Sequence, residues 1–187
     1  MGWDGMLYIM RHGKTDWNLA RRLQGKTDIP LNETGRRMAE EARLRCQDVP
    51  LDVCYCSPLV RAAETAEIFL RGRDIPLLRD KRLEEMGFGV YEGEVIDPDA
   101  TDRPINLFFT APEQYVPPEG AESFDHLFAR TGDFLRSVIR PQLDAGKNIL
   151  IVGHGAMNSS IVCQVRHLPV ADFWSAGIEN CRLMRLL

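Results

Sequence analysis

Apolar residues follow two different periods along this chain. Mostly apolar runs at 6–10 (Met6-Leu7-Tyr8-Ile9-Met10), 51–56, 75–78 and 148–153 have the length of strands buried on both faces. Between them, apolar positions recur at helical spacing. Met38, Ala42 and Cys46 follow the N-cap candidate Asn32, and Leu59, Ala62, Ala66 and Phe69 follow Ser57-Pro58, read as an N-cap and a first-turn proline. Phe124, Leu127, Phe128, Leu135 and Val138 run from a Ser123 cap to Pro141, which is expected to end that helix. A further apolar helix is expected at 157–165 and a last strand at 181–187. Strands alternating with helices predict a three-layer α/β/α fold with a mostly parallel sheet, whose reactive edge lies at the strands' C-terminal ends.

Three stretches break these periods. Residues 13–30 are polar and aperiodic and are read as a long loop, which in a compact domain is often functional. Gly87, Gly89 and Gly93 fit a tight turn that aims a side chain inward. From about 94 to 121 the composition shifts to Asp, Pro and Thr with Phe108, Phe109 and Tyr115 interleaved, which suggests a lid-like insertion containing one short helix. With 187 residues and no internal repeat beyond two similar strand ends, the chain is expected to be one domain, 1–187.

Charge narrows the partners. A formal net charge of -4 argues against nucleic acid or an anionic membrane, either of which favours a basic stripe. Five cysteines without a C-x-x-C spacing point to free thiols, no metal site and a reducing, cytoplasmic setting. No run is long enough to span a bilayer, and Asp4 interrupts what would be a leader. Met1-Gly2 starts like a myristoylation signal, but position 6 is Met6 rather than Ser or Thr. No coiled-coil heptad indicates an oligomeric state.

The chemistry concentrates where two strand patterns end alike. The first run closes on Arg11-His12-Gly13 and the later one on Gly153-His154-Gly155. If the strands are parallel neighbours, their histidines meet. Arg61, in the first turn of its helix, faces a dipole that disfavours a cation by about 0.3–1 kcal/mol. Either Glu64 or an anion held at the strand-to-helix junction would offset that, and local sequence leaves both open. His126 and His167 are read as solvated, and Cys54 and Cys56 as packing residues.

Taken together, these residues resemble the histidine phosphatase superfamily, the phosphoglycerate mutase-like fold, over nearly the whole chain. The resemblance rests on Arg11-His12-Gly13, Trp17-Asn18, Leu23-Gln24-Gly25, Ser57-Pro58-Leu59-x-Arg61-Ala62-x-Glu64-Thr65, Glu85 before Phe88-Gly89, Gly120-x-Glu122-Ser123 and Gly153-His154-Gly155. It implies a phosphomonoesterase acting on a small soluble phosphate ester, with His12 as nucleophile and no cofactor or metal. Arg11, Arg61 and His154 would bind the phosphoryl oxygens, and Gly13 would leave room for them. Glu85, rather than its neighbour Glu84, would act as general acid and then base, provided burial or the phosphate's charge keeps a proton on it. Asn18, Gln24 and Gly25 match positions beside the phosphate, and Asn18 and Gln24 would otherwise hydrogen-bond their own loop. Glu122 and Ser123 are read as structural.

Two other functions remain. A phosphoglycerate mutase uses the same pocket, but mutases of the family carry a longer, more basic insertion. Here Asp97, Asp99, Asp102, Glu113 and Glu119 face a single Arg103. A non-catalytic phosphate-binding protein should have lost a pocket residue. Phe108, Phe109 and Tyr115 either contact an apolar leaving group or anchor the lid, and Arg21 and Arg22 either bind a second anion or are solvated.

Overall fold

The run that ends at Arg11 forms the strand β1 (Leu7–Arg11) in the computed structural model, which describes residues 4–97 and 103–187. Met1-Gly2, Asp99 and Asp102 lie outside the described residues. In chain order there follow α1 (Asp16–Leu19), α2 (Glu33–Arg45), β2 (Val53–Cys56), α3 (Val60–Phe69) and β3 (Leu77–Arg79). The second half holds α4 (Pro104–Thr110), α5 (Phe124–Phe134), α6 (Arg140–Asp144), β4 (Ile149–Gly153), α7 (Gly155–Arg166) and β5 (Met184–Arg185). The strands form one sheet in the order β3-β2-β4-β1-β5, parallel except for β5, which pairs antiparallel with β1.

Strand pleating sorts the core into two layers. Met10, Cys54, Cys56, Leu150 and Val152 point to one face and pack with Ala39 and Ala42 of α2 and Ala63, Ala66 and Phe69 of α3. Their neighbours Leu7, Ile9, Val53, Tyr55, Ile149 and Ile151 point to the other, against Phe134, Ile139, Met157 and Ile161. This is the three-layer arrangement that the alternating pattern predicts. A third cluster, around Phe88, Ile105, Phe108, Tyr115 and Phe173, joins the 94–121 segment to α5 and α7.

Several local expectations are corrected. The 13–30 stretch contains α1, whose Thr15 cap and Asn18 form a capping box that hydrophobic period cannot reveal. Ser57 is not the N-cap of α3: its hydroxyl accepts from Leu59 N–H at 3.2 Å, and Leu59 is the cap residue. Pro141 does not end the α5 helix. The chain passes through a π-helical turn, Leu135–Ile139, and Pro141 then sits in the first turn of α6, where a missing N–H costs little. The last strand is two residues long rather than spanning 181–187.

Gly13 also has a packing reason. A Cβ there would lie 2.5 Å from the backbone oxygen of Gly35, so a glycine on each side lets the loop after β1 rest on the start of α2. Asn32 caps α2 as expected, accepting from Gly35 N–H at 2.9 Å. Gly13→Ala is expected to destabilise the protein by about 1–3 kcal/mol through this overpacking. Urea denaturation reads the change, and an unshifted midpoint would show that α2 yields freely.

Candidate active site

Parallel pairing of β1 with β4 sets Arg11 opposite Gly153, so His12 and His154 leave the sheet side by side. Their ring centroids are 5.2 Å apart, and both residues are buried, at 2% and 0% exposure. The His12 backbone is fixed from two sides: its N–H donates to Gly153 O at 2.9 Å, and the Asn180 amide donates to its carbonyl at 2.6 Å.

The His12 tautomer follows from its partners. Nδ1 lies 2.7 Å from the Gly13 carbonyl, which can only accept, so Nδ1 carries the hydrogen. Nε2 then holds the lone pair, and it accepts from Arg61 Nε at 3.3 Å. Burial, then Arg61 and Arg11, push the His12 pKa well below 6.5, leaving a neutral imidazole with its basic nitrogen facing the cleft. His154 is lowered likewise by burial and by Arg61, and neither of its ring nitrogens has a protein partner among the described residues.

Arg61 is itself fully buried. Its NH1 and NH2 donate to the carbonyls of Thr27 at 2.9 Å and Gly25 at 2.7 Å, which turns Nε toward His12. Burial lowers its pKa to about 10, so it remains a cation at neutral pH. Glu64 does not offset it, because that carboxylate pairs with Arg36 at 2.6 Å. That removes Glu64 from the two readings left open, while Glu85, Asp28 and Glu92 favour the charged form of Arg61 from a distance. Arg11 donates from NH1 to Ile178 O at 3.2 Å, while its buried Nε has no partner.

Glu85 meets this cluster from the other side, and Glu84 points away to Lys26 at 3.8 Å. The Glu85 carboxylate accepts from Ala156 N–H at 3.2 Å and Met157 N–H at 3.0 Å, at the start of α7. It fills the capping place that the His154 side chain leaves empty. Gln24 is buried and accepts from Thr15 Oγ1 at 3.0 Å. Asn18 lines the cleft with its amide oxygen engaged by Thr15, so the local-hydrogen-bond reading and the cleft position both hold. Gly25 has φ +54° and offers its carbonyl to Arg61.

The cleft has a volume of about 360 Å³ and is lined by Arg11, His12, Asn18, Gln24, Gly25, Arg61 and Glu85, while the buried His154 ring reaches it only through its contact with His12 at 5.2 Å. Its outer wall is apolar, with Phe109, Ile96 and Leu23, and with Trp174, which stacks on Phe109 at 5.8 Å. Phe108, at 1% exposure, both lines the cleft and packs into the core of the segment, and Tyr115, at 7%, only anchors it. Trp174 escaped the sequence reading because it sits in a short turn region without periodicity. Asn180 and Arg130 escaped it because each acts on backbone carbonyls, which leave no spacing signal. His126 and His167 are exposed, and all five cysteines are free thiols. Among the described residues, no group of three or more His, Cys, Asp or Glu is arranged to hold a metal ion, and no helix is long and apolar enough to cross a membrane.

Comparison with known proteins points the same way as the geometry. The family model of the histidine phosphatase superfamily, branch 1, matches residues 7–187. The uncharacterized phosphatase PhoE of Bacillus subtilis is 34% identical over 84% of this chain and 75% of its own. A 2,3-bisphosphoglycerate-dependent phosphoglycerate mutase of Gloeobacter violaceus is 31% identical over 94% of this chain and 82% of its own. The solved structure of Bacillus stearothermophilus YhfR superposes with a TM-score of 0.86 at 33% identity, covering 97% of this chain and 90% of that one.

Two buried neutral histidines make a pH prediction with a definite sign. Below pH 6.5 the unfolded chain takes up protons at His12 and His154 that the folded chain refuses. Stability should therefore fall as pH drops from 6.5 toward 5, by up to about 1.4 kcal/mol per pH unit for each group. Imidazole ¹⁵N NMR should show His12 neutral and protonated at Nδ1 throughout that window. Titration of His12 at or above 6.5 would contradict it.

Proposed function

The chain belongs to the histidine phosphatase superfamily, branch 1, and on that premise we propose that it is a phosphomonoesterase working through a phosphohistidine on His12. The observation that carries this reading is the locked His12 tautomer: a neutral ring with Nδ1 tied to Gly13 O and Nε2 facing the cleft between two guanidiniums.

In the proposed reaction the phosphoryl oxygens meet Arg11, Arg61 and the unpartnered His154. Phosphoryl transfer depends mainly on positioning and on neutralising spread charge, and the two guanidiniums supply both without a metal. His12 Nε2 forms a bond to phosphorus as the ester P–O bond breaks, and the Glu85 carboxyl gives its proton to the departing oxygen. The Glu85 carboxylate then takes a proton from water, whose oxygen attacks phosphorus. Inorganic phosphate leaves and neutral His12 returns, its Nδ1 proton never having moved. The 94–121 segment serves as a lid in this account.

The substrate is a small soluble phosphate ester. The stacked Phe109–Trp174 wall favours a leaving group with an apolar or ring-shaped body. Arg21 and Arg22 both line the cleft, and Arg22 donates to Gly93 O at 2.6 Å.

The mutase reading draws on the Gloeobacter relative's name. Against it, Arg103 is the single basic residue in the described part of the 94–121 segment, and its guanidinium pairs with Glu94, leaving no free cation there for a substrate carboxylate. A binding-only role is disfavoured by the retention of Arg11, His12, Arg61, Glu85 and His154 together.

The wild type is expected to hydrolyse 4-nitrophenyl phosphate in excess EDTA, and His12→Ala to lose at least about 10³-fold in kcat. EDTA-sensitive turnover, an active His12→Ala, or bisphosphoglycerate-dependent mutase activity far exceeding hydrolysis would each overturn the proposal. For the leaving group, naphthyl phosphate should surpass small sugar phosphates in kcat/KM, and Trp174→Ala should cost roughly tenfold on the naphthyl ester alone. A panel in which only sugar phosphates turn over would contradict the apolar-wall reading.

A further inference from the structure

Glu85 is held twice, and only one of the holds belongs to the cleft. Its carboxylate rests on the α7 amides, while its backbone is gripped from behind by a side chain of α5. Arg130, whose side chain is 12% exposed, donates from NH1 to the carbonyls of Arg82 at 2.7 Å and Glu84 at 2.8 Å, and from NH2 to the carbonyl of Glu85 itself at 3.2 Å. Its two remaining N–H groups go to Glu122, Nε to Oε1 at 2.7 Å and NH2 to Oε2 at 2.9 Å. All five guanidinium donors are thus used, three of them on one short stretch of loop.

Glu122 completes the frame. Its side chain is 5% exposed, its Oε2 accepts from Gly87 N–H at 3.2 Å, and its own N–H donates to Gly87 O at 2.8 Å. Burial alone would raise its carboxyl, but Arg130, His126 and the Gly87 amide together hold it below the usual range. The loop from Arg82 to Gly87 is therefore hung at both ends on one ion pair. The bearer of that pair is fixed to the catalytic helix: Thr131, next to Arg130 on α5, accepts from Ser160 Oγ of α7 at 3.0 Å.

A buried ion pair is poor evidence for stability, since desolvating two charges consumes most of what their attraction returns. Its geometry is a better guide. A lysine in this place would present a point charge with three donors and could not span three carbonyls and a carboxylate. We propose that Arg130, held by Glu122, is a positioning residue for Glu85: the guanidinium sets the 82–87 backbone so that the Glu85 carboxyl reaches the leaving oxygen. This rests on the reading of Glu85 as the general acid.

The test separates proton donation from folding. kcat/KM reports the steps through P–O cleavage, where 4-nitrophenolate departs with little help while phenolate and alkoxides need a proton. The variants are Arg130→Lys, which keeps the positive charge that Arg130 projects toward His154, and Glu122→Gln, with Glu85→Gln as reference. Each is assayed on a series of aryl phosphates of graded phenol acidity and one alkyl phosphate, alongside vanadate inhibition and thermal melting.

Arg130→Lys and Glu122→Gln are expected to lose roughly tenfold or more on the phenyl and alkyl esters beyond any loss on 4-nitrophenyl phosphate, part of the roughly 10²–10⁴-fold that a general acid contributes. The steepened dependence should parallel that of Glu85→Gln, with vanadate inhibition unchanged because Arg11, Arg61, His12 and His154 are intact. A uniform loss across the series, with weakened vanadate inhibition, would assign the pair a merely structural role and overturn the proposal. A steepened Glu85→Gln beside flat Arg130→Lys and Glu122→Gln would overturn it alone, leaving Glu85 as the acid. A flat Glu85→Gln would overturn both readings.

Discussion

The hydrogen bond from His12 Nδ1 to the Gly13 carbonyl is the constraint on which the site depends. It consumes one ring nitrogen and leaves the other as a lone pair, in a pocket whose burial and two nearby cations disfavour any further proton. A histidine free to rotate or to protonate would lose this asymmetry. The bond holds because the peptide that offers the carbonyl is itself packed: a Cβ on Gly13 would meet Gly35, and Gly13 N–H donates to Thr65 Oγ1 at 3.0 Å. Sheet pairing, a glycine contact and a threonine on α3 thus converge on one tautomer.

The remaining charges are placed by backbone rather than by one another. Arg61 is oriented by two carbonyls of the 24–27 loop, and that loop is pinned in turn by the Glu92 carboxylate, which accepts from the N–H groups of Lys26 and Thr27 at 3.0 Å. Arg11 leans on Ile178 O, and Glu85 on the α7 amides. No carboxylate neutralises either cleft guanidinium by direct hydrogen bonding among the described residues. Both therefore keep charge available for an anion, at the cost of a desolvation that lowers their pKa values. In the proposed mechanism this is where the phosphoryl group gains its binding energy.

Much of this was legible in the sequence where one physical period dominates. Buried strands announce themselves as apolar runs, so β1 and β4 and the meeting of His12 with His154 could be anticipated. The resemblance to the family motif, through the spacing to Phe88-Gly89, singled out Glu85 from Glu84, and Glu85 is the one of the two that lines the cleft. What stayed hidden follows other rules. The capping box of α1 is set by the Thr15 and Asn18 side chains, α3 starts at Leu59 without a side-chain cap, and the π-turn that carries the chain past Pro141 is a tertiary accommodation. Arg130 leaves no sequence signal, because its main partners are carbonyls that every residue possesses. Phe108 and Phe109 both line the cleft, yet Phe108 is also fully packed into the core and Tyr115 is core alone, a distinction that only packing makes.

The central claim is that the lone pair on His12 Nε2 is the nucleophile. Rapid acid-free quenching of the enzyme with a slowly turned-over aryl phosphate, followed by peptide mapping and ³¹P NMR of the trapped protein, tests it directly. The account predicts a single phosphoryl group on His12, attached at Nε2. A phosphoryl group at Nδ1, on His154 or on no histidine during active turnover would contradict it.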